Sequence, residues 1–332
     1  QEIREVRKTM ELNGYKPEEI DAEAEIRHQV RGAVSPDGLC WTALDEPLLD
    51  TGHTQLDTQN IAAFDEDTCE YVAFLRGQLD RRRSVRRTGG KEFGNWHPTR
   101  LVLTIDSHDE PFEDIYTSAY CRCPGSRRHL MFPTIYHRLS STLDIQLASS
   151  HDGWLWRRTE RVPIVTRESG DREYGAIYAS PNLVPLGDGW GIPYMGIYPR
   201  HDGGGRFATY EHPVSEYRWA MWKPDRLVAL EADSEGQFTT VERVCGGREL
   251  RLNFHTEQGG WVKVGIAHRP GTPASPLREL EGLGLDDCDV LEGDKVSKVV
   301  SWNGRANLGE LEGQQLSVRV RLARARIFSI AL

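Results

Sequence analysis

Long apolar runs are missing from this sequence. No stretch approaches the ~18 residues that a membrane-spanning helix requires, so no membrane partner is expected. Basic charge is also short: 41 lysines and arginines stand against 50 aspartates and glutamates, a net charge of −9. That balance disfavours a nucleic-acid partner, which needs a basic face to neutralise phosphates. The six cysteines (Cys40, Cys69, Cys121, Cys123, Cys245, Cys288) lack the spacing of a disulfide framework. Cys121-Arg122-Cys123 is too tight for a usual zinc pair without a second pair elsewhere. Unlinked structural cysteines are expected, with no metal and no cofactor. No leader is visible either, because Gln1 to Met10 is charged and has no apolar core, and a cytoplasmic location is favoured on that ground. Nothing in the sequence speaks to oligomeric state.

Helical periodicity is confined to residues 1–27. Ile3, Val6 and Met10 share one face, Gly14 is a stop, and Pro17-Glu18-Glu19 can open a second helix, with proline in the first turn and glutamates suited to the dipole. These residues are expected to form a surface arm or insertion.

What the chain does have is repeated hairpins. Asn60–Phe64 is a short apolar run, Asp65-Glu66-Asp67-Thr68 a polar turn, and Glu70–Leu75 a second apolar run. Asp57 stands just ahead. The plan returns with Asp114 before Tyr116–Tyr120, a turn at Pro124-Gly125 and the strand His129–Tyr136. It returns again with Glu173 before Tyr178–Pro185, the turn Gly187-Asp188-Gly189 and the strand Trp190–Tyr198. The three acids are 57 and 59 residues apart.

A second set of markers keeps nearly the same period. Ser35-Pro36-Asp37-Gly38-Leu39-Cys40-Trp41 and Ser150-His151-Asp152-Gly153-Trp154-Leu155-Trp156 share the pattern S-x-D-G-x-x-W. Glu92-Phe93-Gly94-Asn95-Trp96 is a worn copy. Asp-Gly turns of this kind have a structural role, since aspartate accepts backbone hydrogen bonds and glycine takes positive φ. Repeats of this length, each of about four short strands, predict propeller blades.

The predicted fold class is therefore all-β: a β-propeller of the five-bladed type over residues 1–225, expected to be incomplete, with fewer than five complete blades, because no inner strand precedes the hairpin at Arg27–Leu44. After Pro224 the texture changes to a strict period of two, as in Leu250, Leu252 and Phe254, then Val262, Val264 and Ile266, then Leu316, Val318, Val320 and Leu322. Residues 226–332 are expected to be a separate β-sandwich. Two further stretches admit bland readings. Arg81-Arg82-Arg83 with Arg86-Arg87 suits a solvated run guarding a strand edge, or an anion site for a carboxylated or sulfated sugar. His201-Asp202-Gly203-Gly204-Gly205 lacks the lysine of a phosphate loop and is expected to be a flexible turn.

In a blade the first strand lines the axis, so an acid at the entry to each would face its counterparts. Asp57, Asp114 and Glu173 are the candidate catalytic residues. Glycoside cleavage needs a carboxylic acid to protonate the leaving oxygen and a carboxylate to attack or to activate water. Tyr116, Tyr178 and Trp190 supply aromatic faces for a sugar ring; Asn60, Arg76 and His137 complete the candidate substrate-binding set. The expected partner is an oligo- or polysaccharide.

The run from Asp57 through Phe64 to Arg76, the Asp-Gly-x-x-Trp repeats and the trailing sandwich resemble the five-bladed propeller glycoside hydrolases of the invertase, levansucrase and arabinanase kind. The resemblance is closest to a bacterial group with this propeller-and-sandwich plan, marked by Asp57-Thr58-Gln59-Asn60. It implies that Asp57 stabilises the transition state. Leu56 and Thr58 replace the arginine and proline that flank that aspartate in invertases, and no Glu-Cys pair supplies the acid, so Asp114 or Glu173 would substitute. The nucleophile-bearing first blade of that family has no visible counterpart. Three classes stay open: a glycoside hydrolase, a propeller that binds glycans without cutting them, and an interaction scaffold.

Overall fold

The structure is a computed structural model that describes residues 7–8, 10–11, 14–19, 26–52, 54–169, 172–201, 214–271 and 274–332. Of the expected N-terminal helices, Ile3 and Val6 lie outside the described residues. Pro17–Glu19 is helical, and the Lys16 amide donates to Glu19 Oε2 at 2.8 Å. Beyond these residues the regular elements of the described chain are strands, apart from one 3-10 turn at Gly309–Leu311, the predicted all-β class. All six cysteines are unlinked. The chain divides into two compact units, residues 1–186 with 191–221, and residues 187–190 with 222–332.

The first unit opens with a hairpin, β1 (Gln29–Val34) and β2 (Thr42–Asp50). An antiparallel meander of four strands follows: β3 (Ile61–Asp65), β4 (Glu70–Leu79), β5 (Arg82–Gly90) and β6 (Arg100–Leu103). Alternation in β4 sends Val72 and Phe74 into a core shared with Val85 and Leu103 of this blade and with Ile115, Met131 and Ile135 of the next. Fully burying a side chain such as Phe74 contributes about 1.5–3 kcal/mol.

The next blade is also a four-stranded meander, but each long strand is broken. Its parts are β7 (Glu113–Thr117), β8 (Tyr120–Arg122), β9 (His129–Met131), β10 (Thr134–His137), β11 (Thr142–Ile145), β12 (Ala148–Ser150) and β13 (Trp156–Arg157). β7 pairs β10 and β10 pairs β11, while β8 pairs β9, β9 pairs β12 and β12 pairs β13. Hydrogen bonds from Phe132 N to Ala119 O (3.3 Å) and from Gln146 N to Pro133 O (3.0 Å) carry the ladder across the breaks. The break between β7 and β8 sits at Ala119, whose φ of 40° is left-handed and turns its amide out of the ladder.

A two-residue pairing, β14 (Glu168–Ser169) with β15 (Arg172–Glu173), precedes β16 (Ala176–Ala179), β17 (Val184–Leu186), β18 (Gly189–Ile197) and β19 (Ser215–Trp222). Here β18 is the middle strand, flanked by β16 and β17 on one side and β19 on the other. β16 also pairs β11 in parallel, so β7, β10 and β11 of the second blade and β16–β19 form one continuous seven-stranded sheet among the described residues.

Both Asp-Gly turns fold identically. Ser35 Oγ and Ser150 Oγ each accept from the following glycine amide, at 2.8 and 2.9 Å. Asp37 and Asp152 each accept from two amides at 2.8–2.9 Å. The indole N–H of Trp41 and of Trp156 donates to the turn glycine's carbonyl. Backbone hydrogen bonds hold both aspartates below the usual carboxylate range. The expected flexible turn beyond His201 lies outside the described residues.

In the second unit one sheet runs β20 (Leu230–Thr239), then β25 (Gln315–Ala331), then β22 (Arg251–His268), with β21 (Arg243–Val244) on β25 and β23 (Arg278–Glu279) and β24 (Asp294–Val299) on β22. Bulges at Asn253/Phe254 and Thr256/Trp261 bend the long strands, as bulges do. The expected alternation holds: Leu252, Phe254, Val262, Val264, Leu316, Val318 and Val320 share one core with Leu291 and Trp302. The Trp302 indole donates to Val264 O at 2.8 Å, which satisfies its polar edge inside that core.

Candidate functional site

The Asp57-Thr58-Gln59-Asn60 tetrad is a strap between β2 and β3. Asn60 folds it, donating to Leu56 O (2.9 Å) and Thr58 O (3.0 Å) and accepting from the Arg76 amide (3.0 Å). Gln59 then reaches out of its own blade. Its Oε1 accepts from the Ala119 amide at 2.8 Å and its Nε2 donates to Ala179 O at 2.9 Å. The left-handed backbone at Ala119 is what frees that amide for Gln59. One side chain therefore ties the strap to the break between β7 and β8 and to the end of β16.

The strap delivers Asp57 to Arg76, with which it forms an ion pair. Arg76 is nearly buried, with a side chain 9% exposed, whereas that of Asp57 is 61% exposed. Arg76 Nη2 also donates to Gln55 Oε1 at 3.2 Å. Burial, then the charge of Arg83, push the Arg76 guanidinium down to about 10, against the opposing influence of Tyr116 and Asp114.

Asp114 is fully buried. Its carboxylate accepts from the Arg83 amide (3.2 Å), Arg83 Nη1 (3.2 Å) and Arg138 Nε (2.8 Å) and Nη2 (3.0 Å). Arg83 lies 4.9 Å from the Tyr116 ring centre and 5.6 Å from that of Tyr136. Tyr116 in turn meets Tyr136 and Tyr178 edge to face, each at 6.1 Å, and His201 at 4.7 Å. Tyr178 Oη and His201 Nδ1 are 2.9 Å apart. These contacts join strap, blade starts and the loop after β18 into one carboxylate, arginine and tyrosine cluster.

Of the residues singled out in the sequence, Asp57, Asn60, Arg76, Asp114, Tyr116 and Tyr178 belong to this cluster. His137 is its neighbour but touches other acids: Nδ1 lies 2.8 Å from Glu113 and Nε2 2.7 Å from Asp144. The Asp144 hydrogen bond chiefly, with help from Glu113, raises the His137 pKa against the effect of burial. Glu173 stands elsewhere, in the β14–β15 pairing, exposed and 2.5 Å from Arg167. Trp190 is buried within β18.

Sequence reasoning missed Arg83, Arg138, Tyr136 and His201. Arg83 belonged to the run read as an edge guard or an anion site; β5 pairs with β4 along its length and with β6 only at Val85–Arg87, and Arg83 is engaged by Asp114. Tyr136 carried a signal, because cross-strand register sets it opposite Asp114. His201 carried none, being separated from its partners by chain that no local pattern joins.

Fold and cluster define an all-β protein of propeller-type blades followed by a unit built on one six-stranded sheet, with a polar and aromatic cluster at the strand starts of the blades. No protein-family model matches the chain, and no curated protein matches it. Solved structures with a similar fold include an N-acetylgalactosamine deacetylase from F. plautii in complex with blood group B trisaccharide, at 10% identity over 58% of this chain and 60% of that one, TM-score 0.39. A β-1,2-mannobiose phosphorylase from Listeria innocua matches at 17% identity over 62% of this chain and 52% of its own, TM-score 0.40. A fructofuranosidase from Schwanniomyces occidentalis matches at 9% identity over 90% of this chain and 74% of its own, TM-score 0.37. The chain spans 60% of the length of the deacetylase and 52% of that of the phosphorylase. These likenesses concern fold alone.

Proposed function

We propose that the chain is a glycoside hydrolase whose saccharide substrate lies against the Asp57 cluster. The observation that carries this reading is the exposed Asp57 carboxylate, held on a nearly buried Arg76 that lies in electrostatic range of Tyr116 and Asp114, with Tyr116 packed on Tyr136, Tyr178 and His201. Tyrosine faces suit the apolar faces of sugar rings, and a fixed carboxylate suits the positive charge that develops at the anomeric carbon. Asp57 takes that role. Asp114, with its lone pairs committed to Arg83 and Arg138, acts as a positioning anion that orients the arginines. Glu173, exposed but outside the cluster, in the β14–β15 pairing and beside Arg167, is the proposed proton donor to a leaving group that extends beyond the cluster.

The test is hydrolysis of a panel of oligosaccharides by the intact chain and by Asp57→Asn. Loss of a charge-stabilising or acid–base carboxylate lowers turnover by about 10²–10⁴-fold. Full activity in Asp57→Asn overturns the reading. Saturable sugar binding with no cleavage by the unmutated chain assigns it instead to the carbohydrate-binding propellers.

A further inference from the structure

A second cavity, of about 240 Å³, opens on the outer part of the first four-stranded blade, lined by Glu70, Arg87, Thr88, His97, Arg100 and Trp154 with Gly89 and Pro98. Arg87 and Arg100 are direct partners across β5 and β6. Like charges placed opposite each other on a sheet repel, and neither arginine has an ion-pair or hydrogen-bond partner among the described residues. Arg87 is 97% buried, being 3% exposed, and its Nε is an orphan donor. Its guanidinium lies 3.8 Å from the centre of the Trp154 ring, which fixes the fork without using its donors.

Three acids lie in electrostatic range of Arg87: Glu70, which lines the cavity, Asp65 and Asp152. Asp65 is committed to Arg122 and Asp152 to the amides of Trp154 and Leu155. Glu70 alone faces two arginines and reaches neither within ion-pair distance. A buried cation without a partner is costly, so the arrangement calls for an anion from outside. Trp154 remains 41% exposed and, with Pro98, offers an apolar wall that a bare inorganic anion would not use.

We propose that this cavity is a subsite for an acidic saccharide, taking the carboxylate of one uronate residue between Arg87 and Arg100 and its ring against Trp154. The volume lies below the ~300–1,000 Å³ of ordinary ligand pockets, which fits one sugar unit and not a chain. The subsite binds and does not cut, so it stands apart from the catalytic reading. The Asp-Gly turn that sets Trp154 in place thereby acquires a use beyond its own folding.

Isothermal titration calorimetry of the intact chain at low ionic strength, with glucuronate, glucose and sodium sulfate as titrants, tests it. Glucuronate should bind saturably and glucose should not. Arg100 is exposed, so Arg100→Gln leaves the fold alone, and removing its charged hydrogen bonds should weaken glucuronate binding about ten- to hundredfold. Arg100→Lys, which keeps the charge but loses the fork, should fall between. Three results each overturn the proposal: glucose binding as well as glucuronate, sulfate binding without glucuronate, or unchanged glucuronate affinity in Arg100→Gln. Because binding is read without hydrolysis, failure here leaves the Asp57 reading untouched, and failure of hydrolysis leaves this one untouched.

Discussion

Asp57 and Glu173 are exposed carboxylates while Asp114 is sealed, and the roles proposed for them rest on that difference. A proton donor must reach the leaving oxygen, which a carboxylate enclosed by two arginines cannot do. Glu173→Gln should abolish hydrolysis of ordinary glycosides yet spare those with highly acidic leaving groups, which need little protonation. Equal loss on both substrate types removes Glu173 from the acid role. His137 supports a prediction of a different kind. Its two carboxylate neighbours raise its folded pKa above an unfolded value of about 6.5. The stabilisation is therefore complete below that unfolded value and is lost as pH rises through the raised folded one. The melting temperature of the unmutated chain should fall over that upper window, and His137→Gln should flatten the fall; the same slope in both would exclude His137 as its source.

At the scale of the element, Gln59 is the contact that joins the strap to the β7–β8 break and to β16. Gln59→Ala leaves the Ala119 amide, in a fully buried residue, and the Ala179 carbonyl without their partner. Each unsatisfied buried group costs about 1–3 kcal/mol, so urea denaturation should report a loss in that range or somewhat above it. A change under about 0.5 kcal/mol, the level of ordinary surface substitutions, would mean that water replaces the side chain. The hairpins themselves were legible in the sequence because their causes are local. Alternating apolar residues around Asp65–Thr68 predict strands that appear as Ile61–Asp65 and Glu70–Leu79, and the two Asp-Gly turns fold as their residue types require. What stayed hidden depends on distance along the chain. The break between β7 and β8 follows from the positive φ of Ala119, a residue type that does not advertise it. The pairing of Arg83 and Arg138 around Asp114, and the packing of His201 on Tyr116, arise only when separate strands meet. The period of the acids was real in sequence, yet Asp57, Asp114 and Glu173 ended in three unlike surroundings, because period fixes a place in the repeat and not the side chains that neighbouring repeats supply.

At the scale of the molecule, the core of residues 222–332 is complete in itself, with Leu252, Val264, Val318 and Trp302 all buried in one cluster. We expect the two units to unfold separately, giving two transitions by calorimetry, with Trp302→Ala lowering only one. The cost of removing a buried tryptophan is about 3–5 kcal/mol, enough to separate the two clearly. A single transition that shifts as a whole would show that the units melt as one.

The contacts of Gln59 also bear on the order in which the protein is made. Its two partners lie 60 and 120 residues further along the chain. At roughly 5–20 residues per second of synthesis, Gln59 leaves the ribosome about 6–24 s before Ala179 follows it. Each hairpin can close at once on its nearest neighbours, but the strap cannot complete its contacts until β16 arrives. Nascent chains halted shortly after residue 122 should therefore contain folded hairpins and an undocked strap, and the Asp57 cluster should assemble last, as translation brings its final strand into reach.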